Sequence, residues 1–460
     1  MVSPSNTPTI DKKNILFVTL GCAKNEVDTD RMRALLFAQG FSEVDTPDEA
    51  DIVLINTCSF LASATEESIE TTLQIAEGAS HGVRSLPIVM CGCVPSRYGS
   101  KLPDQLPEVA AFVRADEEDG IVDVVSEVLG IERTPQSVIA AHGMLRTVEG
   151  ASAYVKISDG CDRFCAFCAI PYIRGHYQSR PADEILSEVS SLMEGGVREI
   201  ILIGQDTGIW GNDIAKTNTG EVPTLAWLMR QVAQVVRPYN GWVRVLYLQP
   251  EGMTDELIST IRDTPECLPY IDIPIQHCSE RVLARMGRSG SASELRSLFD
   301  RLRREIPDMV LRTTGMCGFP GETEEESDEL YDFIQEQEFD YTSVFTYSPE
   351  EGTAGASMPN QVPDEIKMER TQRLIDLVEE LGFAGTARHV GERCEVIIDG
   401  VEDTDEGFEL IGHAWFQAPD CDGAVHIANG EARVGDIVLC DLVDSFCYEI
   451  IGEIVGEKNR

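Results

Sequence analysis

The stretch GCDRFCAFC sets Cys161, Cys165 and Cys168 at gaps of three and two residues. Three thiolates so close in sequence can hold one metal centre on a loop. A structural zinc wants four ligands in a tetrahedron, and His176 is the nearest candidate for a fourth. A [4Fe–4S] cluster held by three thiolates leaves one iron open for a cofactor or substrate, whereas a plain electron carrier needs no open iron. Four more cysteines lie upstream, each after an apolar run: Cys22 after LFVTLG, Cys58 after IVLINT, and Cys91 and Cys93 around the glycine of IVMCGCVP. The other seven, Cys267, Cys278, Cys317, Cys394, Cys421, Cys440 and Cys447, stand mostly in apolar surroundings and are expected to pack as small hydrophobes.

The elements that must position these thiols follow from length and pattern. A chain of 460 residues, 43% hydrophobic, suggests about three domains at roughly 150 residues each. No run of about 18 apolar residues predicts a membrane span. The start, MVSPSNTPTIDKKN, has no apolar signal core, so the protein is expected to be cytoplasmic, where thiols stay reduced. The net charge of −42 argues against a broad nucleic-acid surface. It suits a basic partner, or the solubility of a salt-adapted protein.

Residues 14–130 alternate short apolar runs (NILFVTL, DIVLIN, LPIVM, VAAFVRA) with helical patterns, which reads as parallel strands of a doubly wound α/β domain. From 151 the alternation restarts. Strands are expected at AYVKI, EIILIG, WVRVLYL, YIDIPI, MVLRTT and YTSVFTY, a partial (β/α)6 barrel of the TIM type with its chemistry at the carboxyl ends of the strands. A long helix near Pro363–Leu381 leads to short runs that read as a small antiparallel β-barrel of OB-like size. The expected divisions are 1–135, a linker at 136–150, 151–382 and 383–460. The cysteine loop leaves the first barrel strand, and the first three strand ends of the N-terminal sheet each carry cysteine. In a doubly wound sheet those ends form one crest.

The three-cysteine loop, with aromatic Phe167 before its last cysteine, resembles the radical S-adenosylmethionine superfamily. With LGCAKNEVDTD, NTCSF, CGCVPSRYG, YIDIPIQH, GFPGET and the terminal barrel in order, nearly the whole chain resembles the methylthiotransferases of that superfamily. The resemblance implies two [4Fe–4S] clusters. One, on Cys161, Cys165 and Cys168, binds S-adenosylmethionine and cleaves it to a 5′-deoxyadenosyl radical. The other, auxiliary, is held by three cysteines of the first domain and handles sulfur. It also implies a TRAM domain that holds the substrate, and an electron donor such as flavodoxin or ferredoxin. Cys22 and Cys93 each directly follow a glycine beyond a strand, whereas Cys91 still belongs to its apolar run. Cys22, Cys58 and Cys93 are therefore the expected auxiliary ligands, with Gly92 turning the backbone toward the crest.

Two substrate branches compete: a tRNA adenosine beside the anticodon, and the β-carbon of an aspartate in small-subunit ribosomal protein S-twelve. Ala23-Lys24-Asn25, His277, Glu350-Glu351 and GHAWFQAPDCDG are similar to the second. Residues 386–460 hold 17 Asp and Glu against 5 Lys and Arg, net −12. Such a module suits a basic protein and not phosphate, so no direct nucleic-acid substrate is expected. Further candidates are Phe167, Gln205 and Asp206 toward the cofactor, with Thr207 beside them, against a turn role. Arg174 and Arg180 are candidates for a carboxylate partner. His277 and Arg312 fall at barrel strand ends, and GFPGET at a turn. Trp415 and Phe416 read equally as contact surface or core.

Overall fold

The computed structural model describes residues 13–80, 86–131, 146, 150–214, 223–404, 407–427 and 429–457. The expected linker lies outside these apart from Arg146 and Gly150. Contacts divide the chain into two units: Met1–Thr147 with Tyr172–Arg174, and Val148–Pro171 with Gly175–Arg460.

The first unit is built on five parallel strands: β1 (Asn14–Thr19), β2 (Ser42–Glu43), β3 (Ile52–Thr57), β4 (Ile88–Gly92) and β5 (Val109–Arg114). Their order is β2-β1-β3-β4-β5. That is a doubly wound sheet whose strand order reverses between β1 and β3, the place where such sheets bind ligands. Every residue of β3 and β4 is buried, as strands covered on both faces must be. Ile15, Met32, Leu54, Val89 and Cys91 fill one face, and Val53, Ile55, Ile88 and Met90 the other. Each such aliphatic side chain contributes about 1.5–3 kcal/mol by leaving water. The two-residue edge strand β2 carries no apolar run and had no sequence signal. Helices α1 (Ala23–Phe37), α2 (Ala62–Ser80) and α3 (Cys93–Tyr98) follow β1, β3 and β4.

In the second unit six parallel strands stand where the apolar runs predict them: β6 (Ser152–Lys156), β9 (Glu199–Ile203), β10 (Trp242–Val245), β11 (Tyr270–Gln276), β12 (Val310–Cys317) and β13 (Tyr341–Thr346). They form two three-stranded sheets, β6-β9-β10 and β11-β12-β13. The seam between them is held by Leu248 N–H donating to the Asp272 carbonyl at 3.0 Å. Two short strands, β7 (Ser158–Asp159) and β8 (Gln178–Ser179), pair antiparallel and close the base of the cysteine loop.

A helix at Asp364–Ala387 leads to five strands: β14 (Arg393–Thr404), β15 (Gly407–Ala414), β16 (Val425–Ile427), β17 (Ile437–Phe446) and β18 (Glu449–Glu457). They close as β14-β15-β16-β18-β17. Four seams are antiparallel as expected, but β16 and β18 run parallel, because alternating directions cannot be kept at every seam when an odd number of strands closes on itself.

This closed barrel docks on the amino-terminal ends of the parallel strands. Glu199, the first residue of β9, sits between Arg244 at 2.7 Å and His413 at 2.6 Å. Tyr270, the first of β11, donates its hydroxyl to Asp422 at 2.5 Å. Arg312 pairs with the same Asp422 at 3.0 Å, and the Tyr154 hydroxyl donates to the Pro419 carbonyl at 3.1 Å. Arg312 therefore does not lie at a carboxyl end: β12 runs on to Cys317, leaving Arg312 in its first half. Phe416 is core, stacked on His389 with ring centroids 3.8 Å apart. The packing expectation holds for Cys267, Cys278, Cys317, Cys394 and Cys440, which are buried, but not for Cys421, which is exposed, or Cys447, which is half-buried. Cys421 falls on the turn after β15, where chain direction and not apolar pattern sets exposure.

Candidate metal centres

Three loops leave β1, β3 and β4 at their carboxyl ends and bring Cys22, Cys58 and Cys93 to one crest. Gly21 is packed against Cys58 so closely that a Cβ there would lie 2.6 Å from the Cys58 Cβ and 3.1 Å from its sulfur. Gly92 has φ +89°, and a Cβ there would lie 2.2 Å from Asn56 Oδ1. Only glycine lets the chain turn at that point. Beyond the turn the Cys93 sulfur faces Asn25 Oδ1 at 3.8 Å. Cys91, two residues earlier, is fully buried among Ile15, Leu54 and Val89 and faces the sheet packing.

A lattice of amides fixes the crest. Asn25 donates to the carbonyls of Leu20 at 2.7 Å and Thr57 at 3.0 Å, tying the ends of β1 and β3 together. Asn56 donates to the Asn25 carbonyl at 2.9 Å, and the Thr57 hydroxyl to the Cys91 carbonyl at 2.6 Å. The Arg174 guanidinium reaches Asp28 and Asn25, each at 2.8 Å, and lies 3.9 Å from the Cys93 sulfur. Burial pushes the Cys93 thiol up to about 12; Arg174 opposes this, while Cys58 and Cys22 add repulsion. Burial also raises the Cys58 thiol.

The second set sits on the loop after β6 and β7. The loop is pinned by Cys161 N–H to the Gly175 carbonyl at 3.2 Å, Ala166 N–H to the Met286 carbonyl at 2.8 Å, and Gly355 N–H to the Ala166 carbonyl at 2.6 Å. Burial raises the Cys161 thiol, with Asp206 and Cys165 adding repulsion. Burial pushes Cys168 up to about 12; Cys165 and Cys161 repel it and Arg288 opposes the rise. Phe167 packs against the cluster of Ala166, Met286, Phe319 and Tyr347, with the Arg288 guanidinium 5.8 Å from its ring. Asp206 is buried and takes Arg163 of the loop at 2.5 Å; Gln205 donates to Asp159 at 3.2 Å. The acceptor atoms Asp206 Oδ1 and Gln205 Oε1 are buried without a hydrogen-bond partner. Thr207 holds the turn, donating to the Leu246 carbonyl at 2.8 Å. Arg180 pairs with Glu188 at 2.6 Å within the barrel wall. His176 does not join the thiols: its side chain is 85% exposed and bound to Asp162 at 2.7 Å.

Glu322 of GFPGET folds back to accept the N–H groups of Gly318 at 2.8 Å and Phe319 at 3.3 Å, with Arg370 at 2.9 Å. His277 is fully buried beside it. Its Nδ1 accepts the N–H groups of Cys278 and Ser279, both at 3.0 Å, which leaves the proton on Nε2, 3.9 Å from Glu322. Burial lowers His277 to about 4, so it stays neutral.

Both triads offer free cysteines, the soft sulfur donors that an iron–sulfur cluster takes. Free, mutually repelling, part-buried thiols are the donor set a metal converts to thiolates. Asp28 and Arg288 went unread in the sequence, and Asn25 was read only as a mark of the substrate branch. The polar residues that open α1 carry the first of these: Lys24, Asn25, Asp28 and Thr29 are all buried.

Family models match along the chain: the uncharacterized protein family UPF0004 over residues 14–114, the radical SAM superfamily over 155–334, and the TRAM domain over 390–455. The barrel with its three-thiol loop is thus that of a radical S-adenosylmethionine enzyme, a superfamily whose cofactors are S-adenosylmethionine and an iron–sulfur cluster. A radical S-adenosylmethionine methyltransferase, TsrM, from Kitasatospora setae shares the fold, with TM-score 0.53 at 13% identity over 73% of this chain and 72% of that one. Ribosomal protein uS12 methylthiotransferase RimO of Geobacter sulfurreducens is 40% identical over 452 residues, 97% of this chain and 99% of the relative. That of Thermosynechococcus vestitus is 39% identical over 454 residues, 97% of this chain and 98% of the relative. The chain belongs to this family of methylthiotransferases. Among the described residues no helix is long and apolar enough to cross a membrane.

Proposed function

We propose that the protein adds a methylthio group to the β-carbon of an aspartate in ribosomal protein uS12, using two [4Fe–4S] clusters and two molecules of S-adenosylmethionine. The observation that carries this reading is the second thiol triad, Cys22, Cys58 and Cys93, converging on the crest of the first unit in addition to the loop triad. An enzyme that only generated a radical needs one triad; one that also delivers sulfur has a use for the other. The names of the relatives support uS12 as substrate. The acidic closed barrel supports a basic protein over tRNA by charge complementarity.

Cys161, Cys165 and Cys168 would hold one cluster, and Cys22, Cys58 and Cys93 the auxiliary one. When bound, the first cluster and S-adenosylmethionine supply a carbon radical able to take a hydrogen from an unactivated carbon, which no side-chain base can do. The chain's own part is positioning. Arg163, fixed by Asp206, and Arg288 line the loop with cationic donors suited to a carboxylate, and the unfilled acceptors of Gln205 and Asp206 suit an amino group. Glu322 and neutral His277 shape the GFPGET turn, and apolar packing around Phe167 limits water. Electrons come from a small donor such as flavodoxin or ferredoxin, and the setting is cytoplasmic.

The test is mass spectrometry of uS12 and of tRNA from a deletion strain complemented with wild-type or Cys161→Ala protein. Wild type restores the methylthio group on uS12 and the variant does not, and the variant forms no 5′-deoxyadenosine. A deletion that leaves uS12 modified and strips tRNA instead overturns the substrate.

A further inference from the structure

The segment Tyr172–Arg174 belongs by its contacts to the first unit, although the chain on either side belongs to the second. Within it the Arg174 side chain is 2% exposed and its partner Asp28 is 1% exposed. Taking a guanidinium out of water is costly unless it is paired and its donors are met. Asp28 neutralises its charge. Nη2 meets Asp28 and Asn25, each at 2.8 Å, and lies 3.9 Å from the Cys93 sulfur. The Arg174 charge bears on both Cys58 and Cys93.

We infer that Arg174 is a positioning residue for the auxiliary cluster, donating an N–H to the Cys93 thiolate and setting the reduction potential of the cluster held there. The inference rests on the two-cluster reading. Hydrogen bonds to the sulfurs and nearby charge are the levers by which a protein sets such potentials. A donor and a positive charge favour the reduced, more negative cluster. Asp28, 2.8 Å from the guanidinium, works against it. A pair that serves structure alone is broken equally by losing either partner; a pair that acts on the cluster is not. Removing Arg174 takes away donor and charge, whereas removing the Asp28 charge leaves the guanidinium less compensated beside the sulfur.

The test uses the full chain with Cys161, Cys165 and Cys168 replaced by alanine, so that one cluster is observed. Its midpoint is followed by potentiometric titration with electron paramagnetic resonance detection. In this background Arg174→Gln moves the midpoint to more negative potential, Asp28→Asn moves it to more positive potential, and Arg174→Lys falls between Arg174→Gln and the parent. Should Arg174→Gln not retain iron, the opposite displacements of Arg174→Lys and Asp28→Asn from the parent decide. Displacements of the same sign, or none, overturn the inference. A parent that binds no four-iron cluster overturns the two-cluster reading itself, a distinct outcome read from iron content alone.

Discussion

His413 is the best place to weigh the clasp between the closed barrel and the parallel strands. It is 1% exposed, bound through Nε2 to Glu199 and through Nδ1 to Asp399, both at 2.6 Å. Burial alone would lower its pKa, but Glu199 and Asp399 outweigh burial and raise it to about 9. Glu199 is held down to about 2: burial opposes ionisation, and Arg244 and His413 overcome it. From an unfolded value of 6.5, a rise to about 9 corresponds to about 3 kcal/mol at about 1.4 kcal/mol per unit. The folded state binds the proton more tightly, so this contribution is complete below pH 6.5 and is lost as pH rises through about 9. His413→Phe removes it and leaves Glu199 with Arg244 and the Ser152 hydroxyl. The expected loss at pH 6 is about 3 kcal/mol, or about 3 °C in melting temperature for a chain of this size at about 2.1 cal/mol/K of unfolding entropy per residue. Tryptophan fluorescence reports the event, because the Trp242 ring meets His413 edge-on at 5.9 Å and the Trp415 carbonyl accepts from Arg244 at 3.2 Å. Melting curves from pH 6 to 10 should fall for the wild type and stay flatter for the variant, the two converging above pH 9. Parallel curves, with the variant equally far below at pH 6 and pH 10, would refute the reasoning.

Reconstituted wild-type protein should bind about eight irons and Cys93→Ala about four, whereas Cys91→Ala keeps about eight and loses stability through its packing; colorimetric iron assay decides, and the reverse pattern moves the ligand to Cys91. Gly92→Ala should cost about 1–3 kcal/mol from the strained backbone and lower the iron content toward four, because its Cβ would collide with Asn56 Oδ1; unchanged iron would show that the turn does not aim Cys93. Since His277 is held neutral, with its pKa lowered to about 4, the wild type should lose stability as pH falls from 6.5 toward 4. His277→Gln should flatten that acid limb in a melting series.

The parallel strands were readable because burial on both faces leaves an unbroken apolar run, as in IVLINT and EIILI. The crest thiols were readable for a related reason: a strand ends where its apolar run ends, so a cysteine just beyond it must stand at the sheet's edge. Register separated Cys93 from Cys91 because one glycine marks where the backbone leaves the sheet. What was hidden has remote partners. Arg174 meets Asp28 across 146 positions, and Glu199 meets His413 across 214; no local period announces either. Arg312 was misplaced because the polar residues of TTGMC mask the rest of β12. The parallel seam of the closed barrel rests on β16, three residues long, too short to alternate legibly.

The docking of the closed barrel gives the second unit a built-in measure of length. The clasp grips the amino-terminal halves of the strands and the cysteine loop leaves the carboxyl end; β12 runs five residues on from Arg312 of the clasp to Cys317, about 17 Å at 3.3 Å per residue. In the proposed reaction, a partner anchored on the closed barrel presents its reacting carbon at about that span, on an arm of about five extended residues or a rigid equivalent. Anchor and target are then read as a distance, and a molecule with the right charge but the wrong span would be held without being modified.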